Sequence, residues 1–309
     1  MAKLQAPTVP DLHGKTILIT GGNAGIGKET AVVLAKAGAS VTITARDAAR
    51  GQAAVDEIRQ RSGTTDITVM DLDLASFASV REFAASYADA HASLDVLVNN
   101  AGLMLTQRRE TVDGNEMTFQ VNHLGPFLLT NLLRDPIAAA TDGRVVNVSS
   151  DAHKQGGKTL DFDELQSPNG VGGANSMKVY GRTKLENILF TRELARRWAA
   201  DGTTANAVHP GFVRSGFGRD GDAGKLGDLL MPVIGLFALS AEQGAYTSVY
   251  VASSPEVAGV TGEFFVKCKA VTPSGAAQDD AAAARLWDVS ADLTGLSTPP
   301  DPASHELAS

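Results

Sequence analysis

Residues 15–28 read KTILITGGNAGIGK. The run Lys15 to Thr20 is short, apolar and β-branched, which reads as a buried strand. It passes without a linker into Gly21-Gly22-Asn23-Ala24-Gly25-Ile26-Gly27 and then into a helical pattern from Gly27 to Lys36. Glycines permit a tight turn and close approach of another group to the backbone. The helix N-terminus behind them offers free N–H groups and a partial positive charge. Together they form a seat for a pyrophosphate. The spacing is G-x-x-x-G-x-G, not the G-x-G-x-x-G of many dinucleotide folds. A purely structural strand-to-helix turn is the plainer reading of the same residues.

Outward from this turn the pattern repeats. SVTITA (40–45), DITVMDLDL (66–74), LDVLVNN (94–100), GRVVNVSS (143–150) and TTANAVHP (203–210) read as further strands. Helical stretches lie between them: Ala48 to Gln60, Ser79 to Ala90, Met117 to Leu133 and Val179 to Ala199. Continuous apolar strands alternating with helices imply a parallel sheet covered on both faces. Right-handed crossovers then give a Rossmann-type, doubly wound α/β fold. No Pro/Gly-rich linker divides the series, so one domain is expected over about 12–290. The end, 296–309 (LSTPPDPASHELAS), reads as a disordered tail.

In such a fold the glycine turn after the first strand is a dinucleotide site. An acidic residue ending the second strand would bond the adenosine ribose hydroxyls and select NAD. This chain has Ala45-Arg46 there instead. A guanidinium at that position clamps a 2′-phosphate, so NADP(H) is the expected cofactor. A solvated arginine is the alternative. Lys28 is a second candidate phosphate contact.

Bulk properties remove other classes. The 309 residues are 43% hydrophobic and 20% charged, which suits a globular chain with a large core. A net charge of −8 argues against a general nucleic-acid or anionic-membrane binder. MAKLQAPTVPDLHGK has no apolar core, so no signal peptide is expected. The longest apolar run, Leu229 to Leu239, is broken by Pro232 and Gly235 and is too short to span a bilayer. The single cysteine, Cys268, excludes an intramolecular disulfide and suits a reducing compartment. A cytoplasmic location is expected. The histidines (His13, His91, His123, His153, His209, His305) show no paired ligand spacing, so no metal is expected. His209, beside Pro210, reads as packing. Cys268 reads as buried near a last strand rather than as a reactive thiol.

Tyr180 and Lys184 stand one helical turn apart in YGRTKLENILF and share a helix face. An ammonium beside a phenol stabilises the phenolate and lowers the phenol pKa. The pair could exchange a proton with a carbonyl or alcohol oxygen. Alone, Y-x-x-x-K is weak. With TGGNAGIG, NNAG (99–102), VNHLGPFLLTNLL, RVVNVSS and HPGFVRS in this order, the chain strongly resembles the short-chain dehydrogenase/reductase family. TARD, DLASFASVREF, NVSSDAHK, KLENILFTRELARR and ARLWDVSADLTGL resemble its retinol-dehydrogenase-like branch. The resemblance covers about 14–295.

The resemblance implies residue roles. Tyr180 would be the general acid/base. Lys184 would bond the nicotinamide ribose and depress the Tyr180 pKa. Ser150 would hold the substrate oxygen, with Ser149 the competing choice. Asn122 would kink its helix and hold a water leading to Lys184. Gly21, Asn23, Gly25, Ile26 and Gly27 would cradle the pyrophosphate, and Arg46 the 2′-phosphate. Asp73 and Leu74 would border the adenine. Asn99, Ala101 and Gly102 would lie beside the adenosine ribose and steady the central strands. Pro210, Gly211 and Val213 would meet the nicotinamide carboxamide, and Ser215 a phosphate or the amide. The implied activity is hydride transfer between NADP(H) and a carbonyl or alcohol carbon of a hydrophobic small molecule. A non-catalytic NADP-sensing protein and a light-dependent tetrapyrrole reductase are the competing readings.

Departures from the family pattern matter. The membrane anchor of retinol dehydrogenases has no counterpart in the first residues, which argues against a membrane location and a retinoid substrate. Residues 214–240 fall where the family has a substrate lid, and their apolar character suggests a hydrophobic substrate or a core-packing helix. The stretch between Ser150 and Tyr180 is longer than the compact family core uses. The extra piece, about Lys154 to Asn175, is expected to flank the active-site mouth and to interfere with helix-pairing dimerisation. Monomer and homo-oligomer both remain open.

Overall fold

A computed structural model describes residues 5–213 and 239–296 of the chain. The expected lid residues 214–238, including Ser215, and tail residues 297–309 lie outside the described residues.

All six expected strands form: β1 Thr16–Ile19, β2 Ser40–Ala45, β3 Ile67–Asp71, β4 Val96–Asn99, β5 Arg144–Val148 and β6 Thr204–His209. Two more were not foreseen as separate strands: β7 Phe264–Val266 and β8 Lys269–Ala270. They make one eight-stranded sheet in the order β3-β2-β1-β4-β5-β6-β7-β8, parallel except for β8. The order reverses between β1 and β4, opening a crevice at their carboxyl ends where ligands bind in such sheets. β7 and β8 are too short for a periodicity signal. Their turn holds Lys267 and Cys268, both at positive φ (52° and 59°), which suits the twist of a two-residue hairpin. Cys268 is half-buried there, its Sγ 3.6 Å from Tyr246 O.

β3 ends three residues before the expected Leu74. The Asp73 carboxylate accepts from Ala75 N (3.0 Å) and its amide donates to Ser79 Oγ (3.0 Å), so the chain turns rather than extends.

The helices are α1 Gly25–Lys36, α2 Ala48–Ser62, α3 Phe77–Ala90, α4, α5 Arg134–Ala138, α6 Ala174–Arg197, α7 Ala241–Ser253 and α8 Asp280–Thr294. α4 is composite, with Met117–Phe119 leading into a π-helical stretch Gln120–Leu124 and then Gly125–Leu132. Side chains alternate across β1. Ile17 and Ile19 join a core with Leu34 of α1, Ile58 of α2 and Val249 of α7. Leu18 joins the opposite core with Phe83 of α3, Phe127 of α4 and Phe190 of α6. Each such buried side chain contributes roughly 1.5–3 kcal/mol. The sheet is therefore covered on both faces. α8 lies outside α4 and α6: Trp287 packs at 4.9 Å on Phe127, and His123 Nε2 meets Ser290 Oγ at 2.8 Å. No described helix is long and apolar enough to cross a membrane.

Within the 154–175 stretch, residues 165–167 are tied to α6 and to the turn before α4. Arg182 donates to Leu165 O (3.1 Å) and Ser167 Oγ (2.9 Å). Gln166 bridges Glu116 N and Asn115 Oδ1 (2.8 Å each).

Candidate active site

The glycine turn needs its glycines. Gly21 and Gly25 have φ of 63° and 54°, in the left-handed region. A Cβ on Gly27 would lie 2.4 Å from Asn100 Nδ2, and one on Gly21 would lie 3.1 Å from Ala101 Cα. The residue that locks this turn is Asn100, which the sequence reading passed over. Its Nδ2 donates to Thr20 O (2.8 Å), and Asn100 N and Ala101 N both donate to Thr20 Oγ1 (3.0 Å). Gly21 N is held by Thr44 Oγ1 at 3.2 Å.

α2, α3, α7 and α8 carry side-chain N-caps (Asp47, Ser76, Ser240, Asp279), but α1 carries none at Ala24. Its first N–H groups therefore face the turn without a side-chain acceptor. A shallow glycine cradle with uncapped amides fits a pyrophosphate. Asn23 and Ile26 lie half-buried in the same turn.

Arg46 follows β2 and is exposed, with no partner among the described residues. Lys28 is committed elsewhere, to the Glu57 carboxylate (2.5 Å). Asp73 and Leu74 sit in the turn after β3, and Leu74 O packs against Gly125 of α4. Asn99 is buried, donating to Thr130 Oγ1 (2.9 Å) and Asn147 Oδ1 (2.8 Å). It ties β4 to β5.

Gly102 connects the cradle to the second half of the site. A Cβ there would meet Asn122 Oδ1 at 3.2 Å and Lys184 Nζ at 3.5 Å. Asn122 sits in the π-helical stretch. Its amide is spent on Leu103 N and O (2.8 Å each) and Thr183 Oγ1 (3.0 Å).

Tyr180, Lys184 and Ser150 converge from α6 and the end of β5. Lys184 Nζ donates to Val148 O (3.0 Å) and lies 5.4 Å from the Tyr180 ring centroid. The Ser150 hydroxyl accepts from Ala152 N at 3.1 Å, and it is the side chain that acts to lower the Tyr180 phenol pKa. Ser149 is differently employed: it is buried and donates to Lys184 O at 2.6 Å.

Burial pushes the Tyr180 phenol up to about 12, and the group acting to lower it is Ser150. The ammonium is aimed at Val148 O and lies over the ring face. Burial also pushes Lys184 itself down to about 8, weakening it as a cation.

After β6, Gly211 has φ of 90°, and a Cβ there would strike Leu239 Cδ1 at 2.6 Å. Val213 pairs with Leu239 in an isolated parallel bridge and packs with Ile26 around Gly244. The residues flanking 214–238 thus meet beside the cradle, and Pro210, half-buried, precedes them. Leu239 and Ser240, placed in the lid by the sequence reading, are the bridge partner and the α7 cap. His209 Nδ1 accepts from Asp151 N at 3.2 Å, a packing role. No group of metal-ligating side chains occurs among the described residues.

Comparison with known proteins gives a consistent picture. Residues 15–161 match the model of the short chain dehydrogenase family. Human retinol dehydrogenase 14 is 42% identical over 299 residues, spanning 92% of this chain and 88% of that protein. Human retinol dehydrogenase 13 is 41% identical, spanning 95% of this chain and 88% of that protein. A crystal structure of an uncharacterised protein from Mycobacterium paratuberculosis is 33% identical with a TM-score of 0.74, spanning 96% of this chain and all of that one.

Proposed function

The chain belongs to the short-chain dehydrogenase family, and on that premise we propose that it is an NADP(H)-dependent oxidoreductase interconverting a carbonyl and an alcohol on a small to medium hydrophobic substrate. The observation that carries this reading is the continuity from Gly21 through Ala101 and Gly102 to Lys184, Tyr180 and Ser150. An anion cradle and a proton-exchanging phenol share one crevice.

NADP(H), when bound, supplies or accepts the hydride. Gly21, Asn23, Gly25, Ile26 and Gly27 would hold its pyrophosphate, with Asp73, Leu74, Asn99, Ala101 and Gly102 along the adenosine side. Pro210, Gly211 and Val213 would hold its amide end. The preference for the 2′-phosphorylated cofactor rests on Arg46, an exposed guanidinium with no competing partner among the described residues.

Tyr180 then works as proton donor and acceptor. A phenol held above 10 stays protonated at neutral pH, the form required to give a proton to a carbonyl oxygen during reduction. Ser150, which acts on that phenol, would hold the same oxygen and stabilise charge developing on it. Lys184, near neutrality at about 8, would resupply the proton, and Asn122 fixes the helix that faces it.

The hydrophobic substrate class is supported by the names of the relatives and by Phe212, a 61% exposed aromatic beside Gly211. A cytoplasmic location belongs to the same reading and is supported by the negative net charge and single thiol. The test is Tyr180→Phe, assayed as NADPH oxidation with retinal, steroid ketones, medium-chain aldehydes and quinones. Turnover should fall at least about 100-fold while NADPH binding persists. Unchanged turnover would reject the assignment.

A further inference from the structure

The turn that carries Ser150 is held from three directions. From β6, His209 Nδ1 accepts from Asp151 N at 3.2 Å. From α6, contact is backbone to backbone: a Cβ on Gly181 would lie 2.4 Å from Ala152 O, and one on Gly156 would lie 2.9 Å from Arg182 Cα. Gly181 directly follows Tyr180, so this seat sets the spacing between the serine turn and the phenol. The third hold is His153, within the 3₁₀ turn Asp151–Gln155.

His153 is fully buried, and both its ring nitrogens are engaged. Nδ1 lies 2.7 Å from Ser150 O, and Nε2 lies 3.1 Å from Ser274 N. A carbonyl accepts and an amide donates, so the ring must be neutral with its proton on Nδ1. Its face is fixed by an edge contact with Phe264 of β7 at 5.2 Å. Burial lowers its basicity, which keeps it in that neutral form.

We propose that His153 is a positioning residue for the reaction: a neutral imidazole strut that links the Ser150 carbonyl to the Ser274 amide and so fixes where the Ser150 hydroxyl points. This rests on the catalytic reading of Ser150 and deepens it. The hydroxyl is oriented by the turn itself, since Ser150 Oγ accepts from Ala152 N at 3.1 Å while its backbone is extended. Losing the strut lets the turn rotate and withdraws the hydroxyl from the Tyr180 phenol. Small misplacements of this kind cost large factors in rate.

The test is a double-mutant cycle on the full chain, using the carbonyl substrate turned over fastest. His153→Phe preserves the ring packing on Phe264 and removes both hydrogen bonds. It should lower kcat at least about 10-fold with the NADPH Kd nearly unchanged, and lower Tm only modestly for the Ser274 amide left without its acceptor. In a Ser150→Ala background the same change should cost less than about twofold, because the group it positions is gone. An equal loss in both backgrounds would overturn the proposal, as would an undiminished kcat in the single variant. A conservative pair supplies an independent arm if His153→Phe does not fold. His153→Asn keeps a donor where Nδ1 stood, and His153→Gln keeps an acceptor where Nε2 stood. The strut predicts that Asn retains more kcat than Gln, and the reverse order would contradict it. Full activity in Ser150→Ala alone would remove the serine and the strut together. Tyr180→Phe reports separately on the broader reading.

Discussion

Lys184 Nζ lies 5.4 Å from the centroid of the Tyr180 ring and donates to Val148 O rather than to the phenol oxygen. The lysine is buried, with an amine pushed down to about 8 from 10.5. Folding therefore disfavours its protonated form. That cost is fully present below about pH 8 and disappears as pH rises towards the unfolded value. Lys184→Met should abolish turnover yet raise Tm at pH 7, by roughly 2–4 °C for a chain of this size. The gain should shrink towards zero near pH 10. Differential scanning calorimetry of both proteins at pH 7 and 10 checks the sign. Val148 O retains a second donor, Asn187 Nδ2 at 3.3 Å, so the substitution leaves no orphaned carbonyl.

Arg46 is exposed at the end of β2 and is followed by Asp47, which caps α2 through Arg50 N at 2.8 Å. Arg46→Asp should leave that cap intact while reversing the charge offered to a 2′-phosphate. A charge-assisted contact of about 1.5–3 kcal/mol corresponds to a fall of roughly 10–100-fold in NADP(H) affinity relative to NAD(H). Fluorescence titration with both cofactors measures the ratio, and an unaltered ratio would refute the clamp.

Asn100 joins the two turns that form the cradle. Asn100→Ala removes its Nδ2 from Thr20 O and Gly21 O, at a cost on the order of 1–3 kcal/mol for the unsatisfied groups. NADPH affinity should weaken about 10-fold or more, with kcat at saturating cofactor reduced far less. Isothermal titration beside steady-state kinetics separates the two. A variant that loses kcat but binds NADPH normally would show that the turn is not where the cofactor is held.

The sequence disclosed the strands that alternate as buried runs, from Thr16–Ile19 to Thr204–His209, because burial on both faces leaves an uninterrupted apolar signature. It did not disclose Phe264–Val266 and Lys269–Ala270 as separate strands. Three and two residues carry no period, and the Lys267-Cys268 turn lacks the glycine or asparagine that usually marks such hairpins. The Tyr180–Lys184 spacing on one helix face was legible. The direction of the Tyr180 shift was not, since it depends on burial and on where the ammonium points. The choice between Ser149 and Ser150 takes shape only with geometry: the Ser149 hydroxyl is spent on Lys184 O, while Ser150 is the side chain that acts on the phenol. His153 sat among scattered histidines, and its partner Ser274 lies too far along the chain for any spacing rule. Asn100 was masked by its neighbour: in the NNAG run, both asparagines look alike until one turns to Asn147 and the other to Thr20.

The central claim is direct transfer of hydrogen from the bound nicotinamide to the substrate carbon, with the proton supplied from Tyr180. The most direct measurement follows reduction of the best carbonyl substrate with NADPH carrying deuterium at C4 on one face or the other, with the product read by mass spectrometry. One of the two labelled cofactors should deliver a single deuterium to the new carbinol carbon, retained in ordinary water. Unlabelled product from both would contradict the account.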